Sequence, residues 1–313
     1  MAGIFIKSQI DSLGDAGIRN DVVVVSVAES RRPAVWRRLR KRVDCERYDL
    51  IHCHYGYSLL PTVQIRTVPV VASFCGTDVL GGGDTIVNRA KHRILVALTN
   101  ILSLRTAACI TKSREMRERL WFRPVRERCH VIPNGVDFRL FNPVSQDQAR
   151  ERLGLPPGRK YILFAGDYTH PRKQIGLIEA AVRQCRAQLA DCELLKVRGV
   201  GQDELALYYS AADCLILASK NEGSPNVVKE ALACNLPVVS TDRGDIRELL
   251  EEAGAGELAS PTAESLAAAL VRQLTQAQRP ESRERMSHIR SDRIADRIIR
   301  IYENVRNDFL LTT

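Results

Sequence analysis

Short apolar runs alternate with longer amphipathic stretches along the whole chain. In the first half, DVVVVSV (21–27), DLIHCH (49–54), VPVVASF (68–74), AACIT (107–111) and HVIPN (130–134) predict strands, and residues 85–106 carry apolar positions at helical spacing. A second series follows. KYILFAG (160–166), CELLKV (192–197), CLILAS (214–219) and LPVVS (236–240) predict strands, separated by helical patterns at 175–189, 204–212, 227–234 and 245–252. Strands alternating with helices predict parallel α/β layers. Residues 134–160, rich in Pro, Gly and polar side chains, separate the two series. The expected organisation is two Rossmann-like domains, 1–140 and 141–313, with a ligand held between them at the carboxyl ends of the strands.

Length agrees, since 313 residues exceed what a single core usually organises. The nine cysteines are scattered without CxxC pairs, so neither a zinc ribbon nor a disulfide framework is expected. No run reaches the ~18 apolar residues of a membrane span, and the start lacks the basic-then-apolar order of a secretory signal. A cytoplasmic protein is the expectation. The net charge of +9 includes a basic stretch, RRPAVWRRLRKRV, in which Val35, Trp36, Leu39 and Val43 share one helical face. Such a helix either lies on an anionic membrane surface or turns its apolar stripe into a core. Nucleic acid is the weaker partner, because no aromatic-rich basic motif accompanies the charge.

The stretch NEGSPNVVKEALACNLPVV (221–239) is the densest in candidate chemistry. Ser224 is suited to cap a helix and Pro225 to its first position, leaving the amides of Asn226 and Val227 at a positive helix end that favours phosphate. Glu230 lies roughly 7.5 Å further along the axis, in reach of a ribose beside the first turns. Glu222, on the preceding loop, would meet whatever lies beyond the phosphate.

These residues resemble the E-x7-E signature of retaining glycosyltransferases of the GT-B fold, glycosyltransferase family 4. HVIPNGVDFRLFNP is similar to that family's crossover segment, ACITKSREMRERL to its preceding strand and helix, and DLIHCHYG with VVASFCGTDVLGG to its acceptor-side loops. The resemblance implies that Glu230 binds the nucleotide's ribose, and that Glu222 with the Gly223, Ser224, Pro225, Asn226 and Val227 backbone binds donor sugar and phosphates. FAGDYTHPRK is similar to the diphosphate-binding loop. There Lys173 matches the family's lysine, while Asp167 follows Gly166 where many members carry arginine, so Arg172 either substitutes or is a solvated turn residue. On the acceptor side, His54 aligns with a family histidine, and Cys75 stands where many relatives have histidine. Asp78 either contacts the acceptor or caps its own loop.

The implied activity is transfer of a sugar, with retention, from a nucleotide diphosphate sugar to the hydroxyl of a saccharide or lipid-linked acceptor in cell-surface polysaccharide or glycolipid synthesis. No DxD motif suggests an obligatory metal, no other cofactor is implied, and the protein would work in the cytoplasm or on the inner face of the membrane. Residues 2–17 already read as the family's first helix, with Ile6, Ile10 and Leu13 on one face. The first strand of the N-domain is therefore expected to be missing, through a late start or fragmentation. The last helix is expected to cross back to the first domain. A catalytically impaired nucleotide-sugar-binding or assembly subunit is the alternative function, and a GT-B epimerase the weaker enzymatic one.

Overall fold

The computed structural model describes residues 3–82, 85–276 and 278–312, so Ala2 of the expected first helix lies outside the described residues. The chain divides into two compact units, Met1–Gly135 with Ser291–Thr313, and Val136–Arg290. The terminal helix Ser291–Thr312 groups with the first unit, and residues 136–140 group with the second.

In the first unit, β1 (Ile51–His54), β2 (Val70–Ser73), β3 (Ala108–Thr111) and β4 (Cys129–Val131) form a parallel sheet in that order. The two-residue period of a strand sends alternate side chains to opposite faces. Val70, Ala72, Phe74 and Cys109 pack on one face against Leu59, Met116 and Leu120. Val71, Ala108 and Ile110 pack on the other, against Leu13 of the helix Ile4–Asp15 and Ile294, Ile298 and Ile301 of the terminal helix. Both faces are thus covered, as parallel sheets require.

The strand expected at 21–27 does not form. Residues 21–26 lack regular structure, with Val22, Val23 and Val24 exposed at 54%, 43% and 63%. A β-branched run becomes a strand only by joining a hydrogen-bonded ladder, and the sheet ends at β1 without pairing it. Val27 instead enters the short helix Val27–Ser30, fixed by a capping box in which Ser26 and Glu29 satisfy each other's backbone N–H. The basic helix Pro33–Glu46 takes the core reading: Val35 and Val43 are only 9% and 5% exposed.

In the second unit, β5 (Lys160–Ala165), β6 (Cys192–Val197), β7 (Cys214–Leu217), β8 (Val238–Thr241) and β9 (Gly256–Ala259) form a parallel sheet in the order β6-β5-β7-β8-β9. The central strands β5, β7 and β8 are fully buried apart from Lys160, which accounts for their unbroken apolar runs. Strand β9 was not expected from the sequence. It is an edge strand, partly buried throughout, and GELA carries no apolar run. The segment Gln146–Leu153 joins this unit through Arg150, whose guanidinium pairs with Asp213 at 2.8 Å and lies over the Tyr161 ring.

One close approach fixes the loop after β1. A Cβ on Gly56 would overlap Oγ1 and Cβ of the buried Thr99 on the helix Ile86–Ser103. Gly56→Ala is therefore expected to destabilise the first unit by about 1–3 kcal/mol through overpacking, read as an earlier urea unfolding transition.

Candidate functional site

The strand order of the second unit reverses direction between β5 and β7, because the chain leaves β5 toward β6 on one side and returns to β7 on the other. At such a switch point the loops that follow the two strands diverge and open a crevice at their carboxyl ends. The loop after β5 carries Gly166, Asp167, Arg172 and Lys173, and the loop after β7 carries Glu222, Gly223, Ser224 and Pro225. Side-chain and backbone bonds join the two loops. Lys173 Nζ donates to Glu222 Oε1 at 2.7 Å, both side chains being largely buried, and the Lys220 amide donates to the Arg172 carbonyl at 3.0 Å.

Gly166 is required at its position by φ of +141°, a region closed to most side chains. Beyond it, the 3-10 turn Pro171–Lys173 is capped by His170, whose Nδ1 accepts from the Arg172 amide. Gly244, on the loop after β8, comes so close to the loop after β7 that a Cβ there would meet the carbonyls of Glu222 and Gly223. The helix Asn226–Ala233 begins one residue later than expected: Pro225, not Ser224, is its N-cap, and Ser224 Oγ is buried without a formed hydrogen bond. A proline at the cap cannot offer a side-chain acceptor, so the first-turn amides face the crevice loop uncapped by side chain.

Glu230 lies one helical turn on from Asn226, and its Oε2 accepts from the hydroxyl of the fully buried Tyr209 at 2.9 Å. Burial raises the Glu230 carboxyl above its ordinary range, opposed by the Tyr209 hydrogen bond and the charge of Lys229. Sequence reasoning missed Tyr209, Lys229 and Asp245, which together underlie the loop. Lys229 is wholly buried, and Asp245, the N-cap of the helix Ile246–Ala253, is pushed up to about 6 by burial, against the opposing pull of Lys229 and the nearby Ser224 hydroxyl. Their sequence context, EALAC and GDIREL, reads as ordinary helix and cap.

Arg172 Nε is buried without a hydrogen-bond partner. Asp167 is turned aside: its Oδ1 accepts from the amide and hydroxyl of Thr169 and pairs with Arg198 at 3.0 Å. Arg198 comes from the loop after β6, so the sequence stretch containing Asp167 gives no sign of it.

In the first unit, the expected residues gather at the carboxyl ends of β1 and β2. Asp78 is buried and accepts from the amides of Gly56 (3.1 Å), Cys75 (3.0 Å) and Gly76 (2.9 Å), which ties the loops after both strands together. His52 uses both ring nitrogens, with Tyr302 and Ser73, and stacks on His54 at 4.5 Å. Burial drives His54 down to about 3, keeping it neutral, and its Nδ1 has no partner. The Cys75 thiol is pushed up to about 12 by burial and then by Asp78, so it stays protonated. Tyr55 sits at φ +69°, a strained conformation for a non-glycine residue. Lys112, just past β3, is 3% exposed and interacts electrostatically with Cys75 and Asp78; the sequence reading did not single it out. Among the described residues, no group of three or more His, Cys, Asp or Glu side chains is placed to hold a metal.

Residues 15–140 match the family model described as Glycosyltransferase Family 4, and residues 162–276 match the one described as Glycosyl transferases group 1. By these matches the chain belongs to the group 1 glycosyltransferases. It is 27% identical over 250 residues to the D-inositol 3-phosphate glycosyltransferase of Pseudarthrobacter chlorophenolicus, covering 67% of this chain and 58% of that protein. To the protein of the same description from Xylanimonas cellulosilytica it is 31% identical over 244 residues, covering 65% and 58%. The chain thus spans about three fifths of the length of these relatives. Sucrose-phosphate synthase from Thermosynechococcus elongatus shares the fold, with a TM-score of 0.77 at 20% identity over 96% of this chain and 92% of that one. So does Anabaena HepE in complex with UDP and glucose, with a TM-score of 0.68 at 19% identity over 87% and 82%. Both units are the parallel-sheet α/β domains of GT-B glycosyltransferases.

The part-buried Asp245 makes the second unit sensitive to pH. Its carboxyl, raised from 3.8 to about 6, binds a proton more tightly when folded than when unfolded. The resulting stabilisation, up to about 3 kcal/mol, is full below about pH 4 and lost as pH rises through about 6. Asp245→Asn should flatten the unfolding free energy across that window, as measured by urea titration at a series of pH values.

Proposed function

We propose that the chain transfers a sugar, with retention of anomeric configuration, from a nucleotide diphosphate sugar to an acceptor hydroxyl. The observation that carries this reading is the Lys173–Glu222 pair, which joins the loops after β5 and β7 beside the start of the helix Asn226–Ala233. A diphosphate at this point would have the Lys173 ammonium, the Arg172 guanidinium and the first-turn amides around it. Glu230, fixed by Tyr209, would accept from the ribose hydroxyls. Glu222 would hold the donor sugar.

The chemistry is bond ionisation. As the bond from the anomeric carbon to the diphosphate oxygen breaks, positive charge spreads over the sugar ring and negative charge gathers on the leaving phosphate. Lys173, Arg172 and the amides stabilise that negative charge without moving, and the acceptor hydroxyl attacks the same face from which the diphosphate departs. These cations meet the charge of the diphosphate, so no divalent metal is required in this scheme.

The acceptor would sit among His54, Cys75 and Lys112 of the first unit, with Asp78 acting as a positioning residue through the amides it holds. Relatives bear the name of an inositol phosphate acceptor, and the buried Lys112 gives this chain a cation suited to an acceptor phosphate. We place the reaction in cell-surface polysaccharide or glycolipid synthesis, on the cytoplasmic face of an anionic membrane. A second reading, a nucleotide-sugar-binding subunit without turnover, is favoured by Cys75, whose protonated thiol offers no base.

A panel of nucleotide sugars should show one that raises the melting temperature by mass action. Glu230→Ala should abolish that shift. Lys173→Ala should keep the fold while lowering kcat about 100-fold or more, and proton NMR of the product should show the donor's anomeric configuration. Stabilisation without turnover across acceptors would select the binding-subunit reading.

A further inference from the structure

The helix Ile86–Ser103 is built inside out. Its buried residues are Thr99, Asn100 and Ser103, each 0% exposed, whereas Ile86, Val87, Ile94 and Ile101 are 78%, 62%, 67% and 55% exposed. At about 100° per residue, Val87, Ala90, Ile94 and Ile101 form one stripe, opposite the buried polar residues. The polar side is committed to the fold: the helix packs against Gly56–Thr62, and Asn100 Oδ1 accepts from the Trp121 amide at 2.7 Å. Among the described residues, the side that carries Val87, Ile94 and Ile101 stays exposed. Leu104, 45% exposed, extends the surface at its carboxyl end.

Charge selects the occupant. From Ile86 to Arg114 the chain has no Asp or Glu, while Arg89, Lys91, Arg93 and Arg105 are all exposed, and Lys91 and Arg93 fall on opposite borders of the stripe. A second copy laid on this face by a two-fold axis would bring these cations against one another with no local carboxylate to pair them. An anionic lipid surface meets both properties at once, because acyl chains take the isoleucines and headgroups take the cations. The basic helix Pro33–Glu46, in contrast, has Val35 and Val43 turned into the core.

We propose that the outward face of Ile86–Ser103 is the membrane-docking surface of this protein. The inference rests on the membrane placement of the proposed function and is independent of the transfer chemistry. It is tested by co-sedimentation of the full chain with vesicles of phosphatidylcholine alone, or with about one third phosphatidylglycerol. The wild type should bind the anionic vesicles, more weakly at high salt, and I94S/I101S and K91E/R93E should each lose about tenfold or more of that binding. Both variants change exposed side chains, and unaltered melting and nucleotide-sugar stabilisation would show that fold and donor site persist. Wild-type protein that ignores anionic vesicles, or variants that bind as it does, would overturn the proposal. A lipid-free dimer that I94S/I101S dissociates in analytical ultracentrifugation would assign the face to a second copy instead.

Discussion

All strands of a parallel sheet point the same way, and their carboxyl ends must share one edge. The grouping of the candidate site residues in each unit follows from that constraint. The loops leaving β1, β2 and β3 bring His54, Cys75, Asp78 and Lys112 to one end of the first unit, and those leaving β5, β6 and β7 bring Lys173, Arg198 and Glu222 to one end of the second. Because both faces of such a sheet are covered, that edge is where polar groups can meet a ligand without breaking the core. The sheets hold the sites by rigidity rather than by contacts of their own.

Buried charge is concentrated beneath those loops. Asp78 is held by three amides, and Lys229 with Asp245 lies under the loop containing Ser224. A carboxylate held by backbone donors organises a loop more stiffly than apolar packing does, since losing one donor leaves a charge unsatisfied. The strained Tyr55 lies beside the Asp78 network, where such a conformation is held by its surroundings.

Eight of the nine strands among the described residues were legible as short runs rich in apolar residues, and in β2, β3, β5, β7 and β8, the inner strands of the two sheets, burial on both faces keeps those runs nearly unbroken. GELA escaped because an edge strand needs no such run, and DVVVVSV misled because β-propensity is expressed only where a ladder is on offer. The ambiguity of the basic helix Pro33–Glu46 could not be settled from its moment, which is the same for a core and a membrane. In the loops after β5 and β7, turn chemistry and resemblance together named Lys173 and Glu222, yet their pairing depends on strand order, which no local stretch encodes. Arg198 and Lys112 were invisible for the same reason, each acting on a residue from a different strand.

Under the proposed function, the salt bridge between Lys173 and Glu222 would make donor entry an exchange rather than an addition. The Lys173 ammonium is paired with Glu222, and a phosphate would have to displace the carboxylate to reach it. Displacement leaves Glu222 with lone pairs to satisfy, and sugar hydroxyls are the donors that would arrive on the same molecule. A nucleotide diphosphate lacking its sugar would break the ion pair without giving the carboxylate a new partner. The loop would thereby discriminate a complete donor from a spent one by a charge it carries itself.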